Sequence, residues 1–141
     1  MIPLARRRPG SITGFAVLFF AGALLTFAHG ITDLAARQTA LEASLPAVPW
    51  SEDAVIVWQS MWLSIALIPV AMVWLSGVRF ARWMVTVMAL VKLANLLATG
   101  GGGMIDWAAM LLGLIAVALL FTPASSRWFA QRAEANPAPL R

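Results

Sequence analysis

The stretch WMVTVMALVKLANLLAT, residues 83–99, is an apolar run carrying one charge near its middle, Lys92, the only lysine in the chain. A run of this length is long enough to cross a bilayer as a helix, at the short end of the usual ~17–25 residues. An ammonium at the centre of such a helix costs at least ~2.5 kcal/mol on insertion scales, so it needs both a reason to be there and a partner. No catalytic triad, cofactor fingerprint or metal-ligand set accompanies it.

Three further runs have the same character: Ile12 to Thr32, Ala54 to Ser76, and Met104 to Thr122. Apolar residues make up 61% of the chain and charged residues 11%, against the ~25% charged residues of ordinary soluble domains. A soluble fold would lack polar surface, so the composition indicates a membrane protein. Backbone groups in lipid must be satisfied internally, and no apolar–polar alternation suggests barrel strands. The expected fold is all-α: an integral membrane four-helix bundle forming a single domain.

Arginine placement orients it. Arg6, Arg7 and Arg8 precede the first span, Arg79 and Arg82 separate the second from the third, and Arg127, Arg132 and Arg141 follow the fourth. The opposite connections carry Asp33, Arg37, Glu42, Glu52, Asp53 and Asp106. The positive-inside rule then places both termini in the cytoplasm and the 33–53 and 99–105 connections outside. The basic balance therefore reflects topology and predicts no nucleic-acid partner. Thr26-Phe27-Ala28 could pass for a processing site, but the long apolar stretch favours a retained signal anchor. Cysteine is absent, which excludes disulfides and thiol chemistry.

Between the first two spans, Leu34, Leu41 and Leu45 fall on one side of a helix, with Arg37, Gln38 and Glu42 interspersed, until Pro46 and Pro49 end the pattern. This predicts a short amphipathic helix in the first outer loop. Trp50 marks the interface and Ser51 is placed to cap the second span, with Glu52 and Asp53 in its first turn. Pro69 should kink that span or give it a local hinge. Gly14, Gly22, Thr26 and Gly30 recur at multiples of four in the first span, and Asp106, Ala109, Gly113 and Ala116 share a face of the fourth, so these two helices are expected to pack closely together.

Polar groups gather toward the outer half. Lys92, Asn95 and Thr99 line one face of the third span, His29 and Asp33 lie one turn apart at the end of the first, Gln59 and Ser60 occupy the second, and Asp106 begins the fourth. Lys92, Asn95, Asp106, His29, Asp33 and Gln59 are the candidate binding residues, with Lys92 reaching toward Asn95 and Asp106. Each also has an ordinary reading: a structural salt bridge or snorkelling for Lys92, a hydrogen-bonded histidine for His29, helix capping for Asp106. His29 and Asp33 have no second histidine or cysteine to complete a metal site. Gly100 to Gly103 lacks the lysine and serine or threonine of a phosphate loop. No cofactor or metal is expected, and the methionines and tryptophans read as packing, lipid-facing or interfacial residues.

Gly77-Val78-Arg79-Phe80-Ala81-Arg82-Trp83 resembles the arginine-flanked turn of small bacterial four-helix inner-membrane proteins, and Leu119 to Phe129 resembles their closing segment. The resemblance covers roughly the last half of the chain. It implies an inner-membrane bundle and supplies no activity.

Three functions fit this pattern. The first is a non-enzymatic accessory or assembly subunit, partnered by another membrane protein or by further copies of itself. The second is a carrier or sensor of a small solute, proton or lipid at Lys92. The third is an intramembrane enzyme with His29 and Asp33 as acid and base, for which a lone pair without nucleophile or metal is thin support.

Overall fold

The computed structural model describes residues 9–77 and 79–135. Arg6, Arg7, Arg8 and Arg141, used in the orientation argument, lie outside the described residues. Within them the chain is all-helical: α1 (Gly10–Thr32), α2 (Leu34–Ser44), α3 (Glu52–Ala71), a π-helical turn (Met72–Ser76), α4 (Arg79–Ala98), α5 (Met104–Leu120) and α6 (Pro123–Ala135). By length and composition, α1, α3 with its extension to Leu75, and α4 could each cross a membrane. A fourth crossing results if α5 and α6, bent by 58° at their junction, count as one broken span.

Local chemistry sets the boundaries. Asp33 leaves helical geometry at φ −133° and accepts a hydrogen bond from the Ala36 N–H at 3.2 Å, ending α1 and capping α2 together. The predicted short helix is present over Leu34–Ser44, with Leu34 and Leu41 half-buried, while Leu45, expected on the same face, is its exposed C-cap. The helix stops at Ser44 ahead of Pro46; Gln38 donates to Glu42 of the same helix at 2.8 Å and to the Trp50 carbonyl at 3.2 Å, which ties the helix to the connection leading into α3. Ser51 accepts from the Ala54 N–H at 3.2 Å and caps α3, with Glu52 and Asp53 in the first turn as expected. Pro69 stays inside α3, and the departure from α geometry comes three residues later as the π-helical turn.

Gly77 closes that turn in the left-handed region at φ 63°. A Cβ there would also meet the Trp128 ring at 2.8 Å, so backbone conformation and close approach both demand glycine. The next helix starts at Arg79, four residues before the predicted span, which makes Arg79 and Arg82 helical residues. After Thr122, Pro123 opens α6, an element absent from the sequence reading; Thr122 caps it, accepting from the Ser125 N–H at 3.4 Å.

Helices α1 and α5 share the most extensive interface, as their small residues predicted. A Cβ on Gly22 would lie 3.2 Å from the Ala109 carbonyl oxygen and 3.8 Å from the Gly113 nitrogen. Gly113 itself has open space where its Cβ would be, so its role is to present backbone, and the expectation that both glycines guard the contact is corrected to Gly22 alone. The main core lies at the end bearing Arg79 and Arg127. Ile12, Phe15, Val73, Ala81, Val85, Ala116, Leu120, Trp128 and Phe129 form it, with the missed helix α6 supplying the last two. Ser125 is buried beside it and satisfied by Ser11 Oγ at 2.8 Å and the Leu119 carbonyl at 2.8 Å.

Candidate functional site

Lys92 lies six residues from the Ala98 end of α4, about 9 Å along a helix. Its Nζ donates to Thr26 Oγ1 of α1 at 3.0 Å, and that hydroxyl donates in turn to the Gly22 carbonyl at 3.0 Å. The threonine thus accepts from the ammonium while its own proton is committed to the helix, a cooperative arrangement. The expected partners differ from this: among the described residues, no hydrogen bond or ion pair joins Lys92 to Asn95 or Asp106.

Asp106 has two local tasks. Its Oδ2 accepts from the Gly103 N–H at 3.0 Å, tightening the start of α5, and its Oδ1 lies 3.8 Å from Arg37 Nη2 of α2. The contact fastens the amphipathic helix to the glycine turn. Exposure of both side chains, 36% for Arg37 and 26% for Asp106, makes it a weak stabiliser of the order of 0–1 kcal/mol.

The other candidates separate into those brought to the same end of the bundle and those occupied elsewhere. Gln59 of α3 lies directly over Gly30 of α1, where an added Cβ would fall 2.5 Å from its amide nitrogen, and its side chain makes no hydrogen bond among the described residues. His29 is half-buried beside Gly30, and its carbonyl accepts from Thr32 Oγ1 at 2.8 Å. Asp33 serves as the α2 cap, and no hydrogen bond joins it to His29. Ser60 donates to its own helix at the Ile56 carbonyl, 2.8 Å away. Asn95 on α4 and Thr99 just past its end are exposed, Thr99 donating to the Asn95 carbonyl at 3.0 Å.

Four helices therefore carry polar groups to the end opposite the main core, and the direct link between them is Lys92 to Thr26. The sequence reading classed Thr26 as a small packing residue and missed it as the lysine's acceptor. One signal was available: Thr26 and Lys92 each stand six residues before their helix ends, Thr32 and Ala98, and therefore at similar height. Arg37 was likewise read as a helix-face residue when it is the partner of Asp106. Among the described residues no group of three or more histidine or acidic side chains is placed to hold a metal ion. No known protein family, curated protein or solved structure matches the chain.

Proposed function

We propose that the chain is a four-span inner-membrane protein with both termini in the cytoplasm, acting as a non-enzymatic assembly subunit whose α4 meets another membrane helix. Three separated arginine groups on one side support the orientation. The single observation supporting the role is the exposure of Asn95 and Lys92 on the surface of α4, within the span. Ionisable and amide side chains in a span face protein or water because lipid cannot solvate them. A partner helix, from a second copy or another protein, would give the Asn95 amide and the unused Lys92 donors their hydrogen bonds.

A photo-crosslinking residue at Asn95 tests this in intact membranes, with the same residue at the exposed Ile115 of α5 as the comparison. Protein adducts at position 95 and lipid adducts at 115 are expected. Lipid adducts alone at both positions would overturn the assembly reading.

A second reading has its own support. Lys92 keeps donors to spare beyond Thr26, and the Gln59 amide is unpaired among the described residues at the same end. A small anionic solute could use both. Binding lost in a folded Lys92→Met variant would favour it, and unchanged binding would eliminate it. The enzyme reading has no such support, because Asp33 is occupied in capping and does not meet His29.

A further inference from the structure

The opposite end of the bundle holds a second cation without a carboxylate. Arg82 of α4 is partly buried, and its Nη1 donates to Ser126 Oγ of α6 at 3.3 Å. Its guanidinium carbon lies 4.6 Å from the centre of the Phe121 ring, 5.7 Å from Phe129 and 5.9 Å from Trp83. The buried Nε has no hydrogen-bond partner among the described residues, and no acidic side chain there lies within ion-pair distance. Aromatic faces offset part of the charge, but a guanidinium has five donors and one of them is used.

The surroundings are cationic as well. Arg79, Arg127 and Arg132 occupy the same end, with Glu134 the only acidic residue there among the described residues. Beside the guanidinium, Trp83 is 56% exposed and Phe121 40%, so two apolar ring surfaces flank the charge. A cation beside exposed aromatic rings matches the two parts of an acidic phospholipid: a phosphate diester and its acyl chains. A guanidinium fork suits phosphate oxygens, and basic sites between spans at the membrane surface are where acidic headgroups lodge.

We propose that Arg82, steadied by Ser126 and the Phe121–Trp83 pair, holds the phosphate of an acidic phospholipid at the arginine-bearing end. The assignment rests on the chain spanning a bilayer, but it is independent of the Lys92 face and of which end is cytoplasmic. Phosphate oxygens accept from the free Nη donors while Ser126 fixes the plane of the guanidinium, and the acyl chains lie against the exposed Trp83 and Phe121 rings.

The test is native mass spectrometry of the purified protein from micelles containing equal phosphatidylglycerol and phosphatidylcholine. The wild-type chain should retain phosphatidylglycerol preferentially, and Arg82→Gln should lower that preference about fivefold. Arg79→Gln, at an exposed arginine of the same end, should lower it much less. Should Arg82→Gln fail to fold, Ser126→Asp provides the second arm: a carboxylate beside the guanidinium satisfies it internally and should abolish the preference while the bundle stays intact. Millimolar inorganic phosphate should leave lipid retention unchanged. Equal preference in wild type, Arg82→Gln and Ser126→Asp would overturn the proposal, as would equal losses from Arg82→Gln and Arg79→Gln, which would mean diffuse surface charge. Displacement of the lipid by inorganic phosphate would replace it with a site for soluble phosphate.

Discussion

The two ends of this bundle are built differently. At the end bearing Arg79 and Arg127, large side chains from α1, α4, α5 and α6 close on one another, with Phe15, Phe129 and Leu120 almost fully buried. At the end bearing Lys92, the buried residues are mostly small, Gly22, Gly30, Ala109 and Val55, with Met110 a larger exception, and the helices meet through backbone, a threonine hydroxyl and an amide. The difference places packing stability at one end and chemical potential at the other. The exposed polar groups of α4 sit where packing is thin, and thinly packed regions are the ones free to rearrange.

That contrast can be broken by mutation, and the largest effect belongs to the packed end. Phe129→Ala removes a buried ring from α6 and should cost about 3–5 kcal/mol, read from unfolding in mixed detergent micelles. A loss below ~1 kcal/mol would show that α6 only rests against the bundle. Next comes Gly22→Leu, whose side chain has no room against the Ala109 carbonyl and should cost about 1–3 kcal/mol, while Gly113→Leu should be near neutral. Equal losses at the two glycines would mean that the helices are rotated from the arrangement described.

The smallest stability effect is expected at Lys92. Lys92→Met keeps most of the volume and removes one side-chain hydrogen bond, which between membrane helices averages only ~0.6 kcal/mol. Stability should change by less than ~1 kcal/mol in either direction, while cross-linking at Asn95 should fall. A loss of several kcal/mol would make Lys92 part of the structural core and count against the proposed partner face.

What the sequence made legible was local. The apolar runs, the leucine pattern of α2, the Ser51 cap and the close packing of α1 on α5 each depend on residues near one another in the chain or on spacing along one helix. Helix α6 was missed because the apolar run ends at Thr122 and the search was for spans, although Ser125, Trp128, Phe129 and Arg132 follow helical spacing. Lys92's acceptor was missed for a different reason. Spacing shows which residues share a helix face but not which helix stands opposite, so Thr26 on α1 was indistinguishable from a packing residue. Rotation about the helix axis likewise decided that a side chain at Gly22 would be blocked and one at Gly113 would not.

Everything above the level of single helices depends on the two ends lying on opposite sides of a bilayer. The most direct measurement uses the absence of native cysteine: single cysteines at Gln38, Gly102 and Ala130, probed with an impermeant thiol reagent in cells with a permeabilised outer membrane. The expected result is labelling at positions 38 and 102 from outside and at 130 only after the inner membrane is opened. Labelling of Ala130→Cys with protection of Gln38→Cys would invert the bundle, and labelling of all three from one side would contradict the membrane-spanning account.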